Sequence, residues 1–129
     1  MSIEPSKGIA GLKGALRYVR AYRDQTFVIK LGGEVLQQAE ALAQVAAQIS
    51  LLSSLGVRLV IVHGGGPQVS ELSRRLGSEP KIIAGRRITD DIALDAVVMA
   101  VAGDLNVSVL SALRAHHVRA VGLSGVDAE

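Results

Sequence analysis

Cysteine is absent from this 129-residue sequence, and so is tryptophan. No disulfide and no thiolate metal site can form, which fits a reducing, cytoplasmic setting. Aromatic residues amount to 2%, one Phe and two Tyr, too few for a base-stacking platform. An excess of one charge is also missing. Fourteen Lys and Arg stand against twelve Asp and Glu, with the signs interspersed. That balance argues against a nucleic-acid partner. No apolar run approaches the roughly 18 residues of a membrane span. Met1-Ser2-Ile3-Glu4-Pro5-Ser6 lacks the apolar stretch of a secretory signal. No membrane partner and no metal site are expected.

What is present is aliphatic. Hydrophobic residues make up 49% of the chain, enough to bury a core of Val, Leu, Ile and Ala in one domain of ordinary size. Residues 8–24 read as a helix, with Leu12, Leu16 and Val19 on one face and Lys13, Arg17 and Arg20 on another, solvated one. Residues 26–31 and 57–63 are β-branched and read as buried strands. Between them a helix from about Gln37 to Leu55 carries Leu42, Val45, Ile49 and Leu52 inward and stops at Gly56. Pro67 opens a further helix with Val69, Leu72 and Leu76 on its buried side and Gly77 at its end. Residues 80–88 read as a hairpin bending near Ala84-Gly85. Thr89 or Asp90 caps the next helix, which runs to about Ala102. Gly103 then interrupts, and a last helix carries Leu105, Val109 and Leu113. Residues 118–123 complete the pattern as a third core strand.

Strand–helix–strand order with buried strands predicts an α/β fold: an open, mainly parallel sheet in three layers, with helices on both faces. Parallel strands end at the same edge, which brings two glycine turns together. One follows Phe27-Val28-Ile29-Lys30-Leu31 as Gly32-Gly33; the other is His63-Gly64-Gly65-Gly66-Pro67-Gln68. Glycine lets backbone N–H groups approach an anion closely, and the helix after Pro67 offers its free N–H groups there. A tight strand–helix turn needs one glycine and leaves the triplet unexplained. Lys30 stands where a cation would neutralise charge on a moving phosphoryl group.

Other polar residues are less telling. His63 has no identifiable carboxylate partner and reads as a packed residue rather than a general base. Asp90, Asp91 and Asp95 cluster at a helix start, where acids favour the dipole. His116 and His117 lack metal-ligand spacing. Arg86 and Arg87 follow the hairpin bend. Either an exposed edge or a carboxylate held by two parallel bonds would suit an arginine there.

Taken together, Val28-Ile29-Lys30-Leu31-Gly32-Gly33, Val60-Ile61-Val62-His63-Gly64-Gly65-Gly66-Pro67-Gln68 and Gly85-Arg86-Arg87-Ile88-Thr89-Asp90 resemble the amino-acid kinase family. Ala102-Gly103-Asp104-Leu105-Asn106 and Ala120-Val121-Gly122-Leu123-Ser124-Gly125 add to the likeness, which runs in order from about residue 26 to the end. Within the family the chain is most similar to the members that phosphorylate N-acetyl-L-glutamate in arginine biosynthesis. The resemblance implies transfer of the ATP γ-phosphoryl group to the side-chain carboxylate, with Mg²⁺ held mainly by the nucleotide. Lys30 would stabilise the transferring group, and Gly32 and Gly33 would line the ATP phosphates. Gly65 and Gly66 would contact N-acetyl-L-glutamate through backbone, Arg87 would pair with its α-carboxylate, and the hairpin would form part of a lid.

The resemblance also sets expectations for organisation. Residues 1–25 would be an N-terminal helical extension and residues 26–129 the substrate-binding half of a kinase domain. The 8–24 helix is similar to one that joins dimers into hexamers in arginine-sensitive members, so a homo-oligomer is expected of the complete protein. Family members are longer, and this sequence has no counterpart of their catalytic aspartate, second phosphate-stabilising lysine or substrate-binding asparagine. The chain is therefore expected to be incomplete and inactive alone, with exposed apolar surface. Hydroxylamine-trapped acyl phosphate would contradict that. Two alternatives are the kinase-like domain of an acetylglutamate synthase or fused kinase–synthase, and a non-catalytic module binding an acidic amino acid or arginine.

Overall fold

A computed structural model describes residues 5–127, with side chains from Gly11 onward except Leu12. Leu12, placed above on the apolar face of the first helix, therefore lies outside the described side chains.

Thr26–Leu31 (β1) and Arg58–His63 (β2) form a parallel pair, in register from Thr26 opposite Arg58 to Leu31 opposite His63. Side chains alternate across a strand, so Ile29, Leu31, Leu59 and Ile61 share one face. That face packs into a core with Leu36, with Leu42, Ala46 and Ile49 of Ala39–Ser54 (α2), and with Leu105, Val109 and Leu113. Each such Leu or Ile buried contributes about 1.5–3 kcal/mol, so this core fixes where both strands end. The other face carries Val28, Lys30, Val60 and Val62 and is exposed among the described residues, Val28 by 69%. The α/β class with parallel pairing and packed helices is as expected, and so is apolar surface left open.

Gly66–Arg75 (α3) sits on a second, smaller cluster, where Val69 meets Ala96 and Ala100. Alanines at that contact let the helices approach closely. Three helix ends close in the same way. After α2, Val57 N–H reaches Leu52 O (3.3 Å) and Gly56 N–H reaches Ser53 O (3.0 Å), with Gly56 at φ +82°. After α3, Ser78 bonds Ser73 (2.9 Å) and Gly77, at φ +86°, bonds Arg74 (3.0 Å). At the last helix end the left-handed position holds His117 instead, at φ +61°, with Val118 bonded to Leu113 (3.0 Å). The first helix, Pro5–Tyr22 (α1), has no buried residue among its described side chains. Its end is tied to β1 by an edge-on contact of Tyr22 and Phe27, 5.6 Å between ring centres.

The hairpin forms as Lys81–Ile83 (β3) and Arg86–Ile88 (β4), with Ile83 opposite Arg86. Ala84 (φ +49°) and Gly85 (φ +75°) make its two-residue turn, and two successive positive φ values define the I′ type.

Four expectations change. Residues 118–123 are not a third strand. They have no ladder partner among the described residues, and Val121 and Leu123 are 84% and 75% exposed. An apolar run becomes a strand only when a neighbour pairs with its N–H and C=O groups, and among the described residues β1 and β2 pair only with each other. Gly103 does not interrupt its helix. Asp91–Val97 (α4), a π-helical stretch Val98–Leu105 and Asn106–Ala115 (α5) run on as one helix, Asp91–Ala115. The wider π turn absorbs the glycine, and Asn106 N–H still finds Gly103 O and Val101 O. That continuous helix is long and apolar enough, by length and composition, to cross a membrane, which broken segments were not. Its buried Ala93, Ala96, Ala100, Leu105, Val109 and Leu113 belong to a protein core. Finally, Leu76 is exposed, because α3 ends at Arg75; Ser73 takes the buried position.

Candidate active site

Parallel register puts both glycine turns at the same edge of the β1–β2 pair, and there they touch. Gln68, in the first turn of α3, donates from Nε2 to Gly33 O at 3.0 Å. A Cβ on Gly33 would stand 2.9 Å from Pro67 Cδ and 3.5 Å from Gln68 Oε1. Gly33 is thus glycine because the second turn lies against it.

The triplet divides into different roles. Gly65 is buried, and a Cβ there would overlap Leu105 Cδ1 and come within 3.2 Å of Val101. Its lack of side chain is a packing requirement set by the π-helical stretch. Gly64 and Gly66 are exposed, with no atom within 4 Å of where a Cβ would stand, and neither has a positive φ. Gly32 is the same. At these three positions neither strain nor packing calls for glycine, and the open space is on the outside, where a ligand would come.

Alternation along β4 separates the two arginines. Arg86 is exposed, while Arg87 turns inward and is half-buried. Its Nη2 donates to Ser70 Oγ at 2.6 Å and to Gly66 O at 3.3 Å. Its Nη1 is buried and has no hydrogen-bond partner among the described residues. A guanidinium with one arm anchored and the other unfilled is suited to a carboxylate. The hairpin thereby delivers a cation to the 64–67 turn from 21 residues away along the chain.

Lys30 occupies the last positions of β1, opposite Val62, on the uncovered face of the sheet. Among the described residues it has no ion-pair partner. His63 is half-buried, and its Nδ1 lacks a hydrogen-bond partner among the described residues, so nothing there equips it as a base. Asp90 is the helix cap, its carboxylate accepting from Ala93 N–H at 2.8 Å. His116 O accepts from Ser50 Oγ at 2.8 Å, remote from the turns. One carboxyl is perturbed, away from the site: the amide and hydroxyl of Ser124 hold Asp127 below the usual carboxylate range.

The structure therefore joins Gly33, Gly65, Gly66 and Arg87 into one connected set, with Lys30 and Gly32 beside it through the β1 register. Sequence reasoning missed Gln68 and Ser70 as the parts that make the connection. Gln68 stood in the His63–Gln68 motif as a polar residue in the first turn of a helix at the strand edge, and Ser70, in the next turn of that helix, had no signal of its own. Two open grooves of about 520 and 530 Å³ lie elsewhere, one along Val107, Leu110, Arg114 and Arg119, the other between Ile29 and α2.

Residues 25–129 match the family described as the amino acid kinase family. The chain is 43% identical over 119 residues to an acetylglutamate kinase of Symbiobacterium thermophilum, covering 92% of this chain and 41% of that protein. It is 44% identical over 119 residues to the acetylglutamate kinase of Myxococcus xanthus, covering 92% and 39%. Among solved structures it is similar to N-acetylglutamate synthase from Neisseria gonorrhoeae, complexed with coenzyme A and N-acetylglutamate. That likeness has a TM-score of 0.71 and 33% identity over 88% of this chain and 26% of the other. The chain spans about two fifths of the length of the curated relatives it matches.

Proposed function

We propose that this chain, which belongs to the amino acid kinase family, carries the acceptor-binding part of an acetylglutamate kinase. The identity of 43–44% to acetylglutamate kinases supports that reading. The observation that carries it is Arg87, whose Nη2 is anchored on Ser70 and Gly66 at the glycine turn while Nη1 is buried and has no partner among the described residues. In this reading Arg87 takes the α-carboxylate of N-acetyl-L-glutamate, and Gly65 and Gly66 hold the molecule through backbone N–H groups.

The reaction places two anions face to face. The acceptor carboxylate is already ionised at neutral pH, so no general base is needed. What must be overcome is repulsion and disorder of approach. Lys30, exposed at the end of β1, would neutralise charge on the transferring group. The open backbone at Gly32 and Gly33 fits a phosphate, because no side chain stands over Gly32. ATP would supply the phosphoryl group. Mg²⁺ held mainly by the nucleotide would help neutralise the same charge. A cytoplasmic, homo-oligomeric complete protein belongs to the same reading.

A second reading has an observation of its own. The likeness to an N-acetylglutamate synthase at TM-score 0.71 favours the kinase-like domain of such a synthase or of a fused enzyme. Lys30 and the glycine triplet are both intact here, which favours the kinase.

Calorimetry with N-acetyl-L-glutamate tests the proposal. The wild-type chain is expected to bind it. Arg87→Ala removes a charge-assisted hydrogen bond of about 1.5–3 kcal/mol and should weaken binding by roughly 10- to 100-fold. Binding of L-arginine without N-acetyl-L-glutamate would instead indicate a non-catalytic regulatory module.

A further inference from the structure

Gln68 takes no part in the chemistry above, yet among the described residues its bond to Gly33 O is the only side-chain hydrogen bond joining the two turns. The two ends of the bond are held differently. On the α3 side, Val69 is 3% exposed and Gly65 is wedged under Leu105, so the base of Gln68 is fixed. On the β1 side, Gly32 touches nothing with its open face, and the turn hangs between buried Leu31 and buried Leu36.

The orientation of the amide is determined rather than arbitrary. Gly33 O can only accept, so Nε2 must face it and Oε1 must face away. Oε1 then lies 3.5 and 3.6 Å from where Cβ atoms on Gly33 and Gly65 would stand, buried between the turns and without a partner among the described residues. An unpartnered buried acceptor is unfavourable for folding. An apolar side chain of similar volume would avoid that cost and lose the bond to Gly33.

We propose that Gln68 is a positioning residue: its amide sets the gap between the 30–33 turn and the 64–67 turn, so that a ligand bound on one side is felt on the other. The proposal rests on reading these turns as the phosphoryl and acceptor sides. Group transfer between two bound anions depends steeply on their approach, so a device that fixes the gap acts on the step itself.

The test uses the full 129-residue chain, ¹⁵N-labelled, with Gln68→Glu and Gln68→Ala. Gln68→Glu keeps the shape but has no donor at neutral pH, so it carries the test if Gln68→Ala does not fold. Backbone order parameters at Gly32 and Gly33 are expected to fall from about 0.85 towards 0.6 in both variants, with Ile61 and Gly65 unchanged. Acidification that protonates the introduced carboxyl restores a donor and should restore those values. Added N-acetyl-L-glutamate should shift the Gly64, Gly65 and Gly66 amides in every folded variant, and the Gly32 and Gly33 amides in wild type alone. Unchanged order parameters, or a Gly33 response that survives in Gln68→Glu, would overturn the proposal. If N-acetyl-L-glutamate shifts nothing in wild type, the functional reading fails, and the order parameters still decide the role of Gln68.

Discussion

Beside the 64–67 turn, wedged under Leu105 and crossed by Arg87, the 30–33 turn is nearly bare. Both follow parallel strands in perfect register, both are glycine-rich, and in the sequence they look like equals. The difference lies in what reaches them. The 64–67 turn receives a helix from below and a hairpin from the side. Among the described residues the 30–33 turn receives one side-chain hydrogen bond, from Gln68, has Pro67 packed against Gly33, and presents Lys30 on an uncovered sheet face. A firmly held turn therefore stands next to an exposed one whose position is set in part by its neighbour, and on the proposed reading these are the acceptor and phosphoryl sides.

Substitutions at the glycines should break that contrast first. Gly65→Ala pushes a methyl into Leu105 and should cost about 1–3 kcal/mol of stability, whereas Gly64→Ala, facing open space, should change it by less than about 0.5 kcal/mol. Urea unfolding of both variants measures the pair, and equal losses would mean the triplet serves the turn alone. Ser70→Ala comes next. It removes the anchor of Arg87 and should weaken N-acetyl-L-glutamate binding about fivefold, near 1 kcal/mol, in calorimetry. His117→Gly relieves a left-handed residue far from both turns and should raise stability by about 0.5–1 kcal/mol. Ligand affinity should not follow, which separates rigidity of the fold from order at the site. The smallest effect belongs to Lys30→Ala, where an exposed side chain is lost and thermal stability should move by less than about 0.5 kcal/mol.

Much of the framework was legible because local chemistry dictates it. Glycines at positive φ after α2 and α3, the Asp90 cap and the Ala84-Gly85 bend each act within a few residues. What was not legible depends on distant partners. Residues 118–123 have strand composition, but a ladder needs a neighbour, and composition does not say whether one is there. Gly103 has the look of a breaker, yet the π-helical stretch accommodates it because Leu105 and Val101 must still reach the core and Gly65. The glycine triplet exceeds what a tight turn needs, but dividing it into Gly65 for packing and Gly64 and Gly66 facing open space required the neighbour beneath. The resemblance singled out Arg87 over Arg86, but composition and spacing did not, and the physical difference between them came only with β4, which turns Arg87 inward. Gln68 was visible in its motif, and its reach of 35 residues to Gly33 was not.

The central claim is that the cluster of Gly65, Gly66 and Arg87 receives N-acetyl-L-glutamate. A crystal structure of the chain grown with that compound tests it most directly. The account predicts the α-carboxylate on Arg87 Nη1, with the molecule lying against the backbone of Gly65 and Gly66. A ligand found instead in the groove beside Arg114 and Arg119, with Arg87 Nη1 still unfilled, would contradict it.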